Sequence, residues 1–268
     1  MTPKKINILL ILTILSYHLF SQGELLSETR TVTTNENTYF INANSNGFSI
    51  GYTFGKRLDG FRKRLYEASF SYLKHPKEIR TENPYYQNQK KFVFGKLYSV
   101  FALRSGIGYQ RELFSIFDKG GVAIRYNYLL GGSLALLKPI YYEVVDSTKI
   151  YDNVQYIYIS DKQFNYSIHQ VSDIYSRSSF LLGINETKFV PGIFVKGGLS
   201  FAISQSQRSI NSIDVGCIVD YFFKPIQIMA TEKKEQIFIT LYLGYRFGKV
   251  KLKNENTNSL EIDNYDNN

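Results

Sequence analysis

Residues 237–248 read IFITLYLGYRFG, and taking every second residue separates Ile237, Ile239, Leu241, Leu243, Tyr245 and Phe247 from Phe238, Thr240, Tyr242, Gly244, Arg246 and Gly248. The first set carries nothing polar except the amphipathic Tyr. The second is small, polar or charged at most positions. A two-residue period held for a dozen residues is what a strand crossing a bilayer in a closed barrel requires, apolar toward lipid and small or polar toward the lumen.

The same alternation recurs upstream. In 193–204, Ile193, Val195, Leu199, Phe201 and Ile203 oppose Lys196, Gly198, Ser200 and Ser204; in 212–223, Ile213, Val215, Cys217, Val219, Tyr221 and Phe223 oppose Ser212, Asp214, Gly216, Ile218, Asp220 and Phe222. Segments 48–55, 66–72 and 122–130 follow the pattern, a shorter strand is expected around 39–43, and 92–111 is a less regular eighth strand. The fold class is therefore all-β, a transmembrane antiparallel up-and-down β-barrel of eight strands within a range of 8–12. A hairpin turn at Gly131 and Gly132 is the competing reading, and it raises the count to ten.

The connections fit eight strands with both termini in the periplasm. Periplasmic turns fall at 56–65, 112–119 and 205–211. External loops fall at 73–91, 138–192 and 224–236, with a tight external turn at 44–47. The stretch 138–191 is too long to lack structure, so an extra strand or a short helix around 178–184 is expected inside it.

The N-terminus sets the compartment. Lys4 and Lys5 precede an apolar run over 6–15 that is too short to span a bilayer as a helix, and Ser16 and Ser21 follow. This reads as a secretory signal peptide over 1–21, cleaved after Ser21, although Leu19 is bulky for the position three residues before the cut. A periplasmic segment over 22–36, a barrel over 37–248 and a polar, Asn-rich tail over 249–268 complete the organisation. Loss of Lys4 and Lys5 lowers the formal charge from +9 to +7, since 1–21 hold no acid. The charge is not gathered into a stripe, which argues against nucleic acid. The chain has 22 Tyr and 20 Phe but no Trp, and interfacial Tyr accounts for such an excess.

A soluble β-barrel with its faces reversed gives the same parity. Against it, the polar faces are built from Gly, Ser, Thr and Tyr with isolated charges, where a soluble exterior carries denser Lys and Glu. Parity directs Glu67, Arg104, Arg125, Lys196, Asp214, Asp220 and Arg246 inward, four cations against three anions. An eight-stranded interior is just wide enough for side chains to fill, so these charges are expected to pair across a plugged lumen. Catalytic, metal and nucleotide signatures are absent, and no cofactor is expected. One lone cysteine and two mature-chain histidines, His75 and His169, have no metal-site spacing. Ser71, His75 and Glu78 could be written as a hydrolase or acyltransferase group, but no spacing fixes them in mutual reach.

The blocks NSNGFSIGYTFGKR (44–57), KRLYEASFSYLKHPKE (63–78), GKLYSVFALRSGIGYQ (95–110), AIRYNYLLGGSLALLKP (123–139) and ITLYLGYRFGK (239–249) resemble an uncharacterised family of Gram-negative outer-membrane β-barrel proteins, often labelled porin-family. The resemblance implies a barrel in the outer membrane and carries no catalytic residues. The expectation is a small monomeric barrel in contact with outer-membrane lipid, with a structural or surface-interaction role through 138–192. A narrow pore for small solutes and a lipid-modifying enzyme are the alternatives.

Overall fold

In the computed structural model, residues 35–86, 89–114, 122–151, 154–165, 169–205, 209–231 and 233–251 are described. The expected signal peptide, most of the segment 22–36 and most of the tail 249–268 lie outside them. The described strands are β1 (Asn35–Asn44), β2 (Gly47–Arg57), β3 (Arg62–Leu73), β4 (Arg80–Thr81), β5 (Phe92–Val93), β6 (Tyr98–Phe114), β7 (Ala123–Pro139), β8 (Tyr141–Tyr151), β9 (Val154–Gln163), β10 (Ile174–Arg177), β11 (Lys188–Gln205), β12 (Ser209–Ile226) and β13 (Glu235–Lys251). Eight of them close into an antiparallel barrel in the order β1-β13-β12-β11-β7-β6-β3-β2. Every barrel strand pairs with its neighbours in the chain order of barrel strands, and β13 closes on β1 from Asn35↔Lys251 to Asn44↔Tyr242.

The side-chain distribution is inside out. Ile237, Ile239, Leu241, Leu243, Tyr245 and Phe247 are exposed on the barrel wall, as are Ile193, Val195, Ile213, Val215 and Val219, while charged residues of the same strands are buried. In water such a wall is a large apolar patch. In a bilayer it is the lipid-facing surface of a closed sheet with no unpaired edge. No described helix is long and apolar enough to cross a membrane.

Gly131 and Gly132 do not turn the chain. They lie mid-strand in β7, paired with Gly106 and Ser105 of β6, which removes the ten-strand alternative. The expected strand over 92–111 is corrected: it breaks at Gly95, whose φ of +79° suits a turn, and the barrel strand begins at Tyr98. The break is held by Tyr142 of β8, whose hydroxyl lies 2.6 Å from the Val93 carbonyl and 3.0 Å from that of Lys96. Burial pushes the Tyr142 phenol up, so it stays a donor.

The segment read as an external loop over 138–192 starts later and ends earlier, because β7 runs to Pro139 and β11 starts at Lys188. Between them β10, β8 and β9 form a three-stranded sheet. In place of a helix around 178–184 there is a turn followed by one 3-10 turn, Ile184–Glu186. This sheet and the 74–97 connection form a cap with its own core of Phe92, Tyr142, Val144, Phe164 and Ile174. Asn83 ties the two halves together through the carbonyls of Ser172 and Ile174 at 2.8 and 2.7 Å.

Candidate functional site

The barrel interior is layered, and inward parity decides what each layer holds. Nearest the cap, Leu73, Val100, Ala102, Leu137, Val190, Phe222 and Phe238 meet Ile226, Ile228 and Met229 from the end of β12 and its connection to β13 in one apolar cluster. Two residues further down their strands, Arg104 and Asp220 meet in a two-pronged pair, Nε to Oδ1 at 2.7 Å and Nη2 to Oδ2 at 2.8 Å. The third donor of that guanidinium, Nη1, bonds the Ser71 hydroxyl. This is the planar fork-to-carboxylate match that Arg makes and Lys cannot.

The next layer is built on Lys196. Its ammonium reaches Glu67 Oε1 at 2.6 Å and lies 4.5 Å from the Phe40 ring centre and 5.1 Å from that of Tyr242. Two ring faces and a carboxylate replace the water that a buried ammonium loses. Tyr242 can lie there because Gly198 and Gly216 sit beneath its hydroxyl, and a methyl on either would overlap that oxygen. Arg246 completes the layer. Its Nε donates to Asp214 Oδ2 at 2.6 Å, its Nη1 donates to the Thr38 and Thr53 hydroxyls at 3.1 and 2.8 Å, and Glu67 Oε2 lies 3.8 Å from its Nη2. Asp214 also accepts from Ser200, and Glu67 from Thr53.

At the far end Arg125 lies 3.5 Å from Glu112, and Lys63 bonds Glu36. Glu67, Arg104, Arg125, Lys196, Asp214, Asp220 and Arg246 are all buried. Sequence reading missed Glu36, Lys63 and Glu112, since it placed all three outside the strands. β1, β3 and β6 extend beyond the spans that alternation marks, beginning at Asn35, beginning at Arg62 and ending at Phe114, and that extension brings them in. With these three, five ion pairs line the described lumen, Lys63–Glu36, Arg104–Asp220, Arg125–Glu112, Lys196–Glu67 and Arg246–Asp214, and Arg57, opposite Lys63 in register, adds a further inward cation at the far end.

Ser71, His75 and Glu78 do not assemble. Ser71 points into the lumen at Arg104, Glu78 pairs with Lys96 in the cap at 2.6 Å, and His75 Nδ1 accepts from the backbone of Lys77. His169 Nδ1 accepts from the backbone of Asn165, and no cluster able to hold a metal ion occurs among the described residues.

A closed eight-stranded antiparallel barrel with an apolar wall and a charged, paired interior defines a small transmembrane β-barrel protein of the outer-membrane type. No protein-family profile matches the chain, and no curated protein matches it. Solved structures with a similar course include Neisserial surface protein A, at 10% identity and a TM-score of 0.37 over 81% of this chain and 95% of that one. The N-terminal β-barrel domain of Pseudomonas aeruginosa OprF has 10% identity and a TM-score of 0.34, covering 82% and 98%. Ail, the attachment invasion locus protein of Yersinia pestis, solved with the heparin analogue sucrose octasulfate, has 6% identity and a TM-score of 0.35, covering 82% and 97%. The barrel assignment rests on the strand pairing of this chain itself.

Proposed function

We propose that this protein resides in the outer membrane of a Gram-negative cell as a barrel whose lumen is plugged by its own side chains, and that its role is structural or surface-interacting, carried by the cap. The observation that carries this reading is the network of directly paired lumen charges under an apolar lid. A conducting path needs water between the charges. Here Arg104 and Asp220 bond directly, and the apolar cluster covers them on the cap side. The cavity lined by Thr38, Thr53, Arg125, Ser212 and Arg246 has only about 20 Å³, room for about one water.

The cap stands at the end that carries the tight turn between β1 and β2 and the three longer connections, so that end faces outward. Reconstitution of the purified barrel in a planar bilayer tests the plug. The expected record has no steady single-channel steps, and reproducible steps of fixed conductance would overturn it in favour of a narrow pore.

A further inference from the structure

The cap covers one side of the barrel rim, and a cavity of about 230 Å³ lies beneath it. This cavity is not part of the lumen. The residues that β3, β6 and β7 lend to it include Tyr72, Ser99 and Lys138, which share the outward parity of the lipid-facing Phe70, Leu103 and Leu134. Ser99 and Lys138 pair in register, and the cap buries both.

The cavity lining holds five cations, Lys74, Arg80, Lys96, Lys138 and Arg177, and one acid, Glu78. Lys96 takes Glu78 at 2.6 Å. Among the described residues, none of the other four has a carboxylate within 4 Å. Lys138 is the informative one: it is buried, yet its ammonium reaches only the Pro139 carbonyl at 3.2 Å and the Phe180 ring, 4.8 Å from the centre. A buried cation facing further cations is costly unless an anion joins them. The volume is below the range of about 300–1,000 Å³ of drug-sized sites and suits a headgroup-sized ion.

What adjoins the cavity says which anion. Phe180, Leu181, Leu182 and Ile184 form an apolar run on the cap, and Leu181 is 71% exposed. The Phe180 ring stands edge-on to Phe101 of the outward wall, with centres 6.4 Å apart. Below Phe101 the wall continues through Leu103 and Leu134 to a row of small residues, Ala68, Ser105 and Gly132, paired across β3, β6 and β7. These residues help line a shallow groove on the outer face. A basic pocket at the rim, an apolar clip beside it and an apolar groove beneath it match the headgroup, interface and acyl region of one lipid.

We infer that the cavity under the cap binds the phosphomonoester headgroup of an outer-leaflet lipid, with Lys138 and Arg177 as its principal anion contacts and the acyl chains along the wall beneath Phe101. A phosphomonoester carries about −1.5 to −2 charges near neutral pH, which the four unpaired cations more than offset. A zwitterionic choline headgroup brings its own cation into a site that already has four. The inference rests on the membrane placement proposed above.

Native mass spectrometry of the full chain, purified in detergent and verified as folded by a mobility shift on boiling, tests it with phosphatidic acid, phosphatidylcholine and inorganic phosphate as probes. The expected result is a preference for phosphatidic acid over phosphatidylcholine of about tenfold or more in dissociation constant. Arg177→Gln, an exposed position, and Lys138→Gln each reduce that preference to about twofold or less. Should Lys138→Gln fail to fold, Arg80→Gln combined with Arg177→Gln takes its place.

Equal binding of the two lipids by folded protein, or a preference unchanged in the variants, overturns the site. Full displacement of phosphatidic acid by millimolar inorganic phosphate overturns the lipid assignment in favour of a soluble anion. A chain without a mobility shift instead contradicts the membrane barrel on which the site depends, so the two failures are separable.

Discussion

Asp220 has no exposed surface, and both of its carboxylate oxygens face one guanidinium. Truncating one partner of such a pair strands the other charge in a site sealed by the apolar cluster above it. Asp220→Ala is therefore expected to cost about 3–5 kcal/mol, read from urea unfolding of the detergent-folded barrel. Arg104→Leu combined with Asp220→Leu removes both charges and is expected to cost far less than Asp220→Ala alone. A double variant as unstable as the single would show that shape, not charge pairing, holds this layer. Glycine acts at the same scale: Gly198→Val is expected to evict the Tyr242 ring from above Lys196 and to cost about 1–3 kcal/mol, as overpacking does in a filled interior. The inward position of Arg104 is readable from its alternation with Leu103 and Ser105. Its choice of Asp220 over Asp214 is not, because both lie on β12, across the lumen from β6, and which of them stands level with Arg104 is set by the registers through β7 and β11.

Strand ends follow a different logic from strand middles. β6 and β7 have 17 residues each, more than the ~9–11 that cross a bilayer, and they carry the outer rim on which the cap rests. Alternation marks the middle of such strands, but it does not say where they stop. Glu36, Lys63 and Glu112 therefore read as loop residues in the sequence. Gly95 is the converse case, a turn glycine inside a segment whose composition reads as strand. The difference is made by Tyr142, some forty-seven residues away in the chain, whose hydroxyl draws the carbonyls of Val93 and Lys96 into the cap. Tyr142→Phe leaves two inward carbonyls without that donor and is expected to loosen 92–97 by about 1–3 kcal/mol. Trypsin cleavage of intact cells after Lys90 and Lys91 should then speed up severalfold while the barrel keeps its mobility shift. An unchanged rate would mean that packing of Phe92 against Tyr142 and of Phe94 against Phe164 suffices to hold the cap.

At the scale of the whole molecule, two opposite solvent preferences meet in one closed sheet. The outer wall presents Ile, Leu, Val and Phe, and the interior buries charged side chains such as Arg104, Lys196, Asp214 and Asp220. That arrangement was legible in the sequence because an eight-strand barrel converts a two-residue period directly into inside and outside. The cap was not legible, since its sheet, its hydrogen bonds from Asn83 and its basic cavity come from segments brought together only by tertiary folding. The apolar wall calls for an apolar surround, a membrane or a detergent micelle, in place of water. The most direct test is electrophoretic mobility of the outer-membrane fraction with and without boiling in detergent. The account predicts the protein in that fraction, with a compact unboiled form that shifts to the unfolded mobility on heating. Recovery of the protein from the soluble periplasm, with one mobility whether boiled or not, would contradict it.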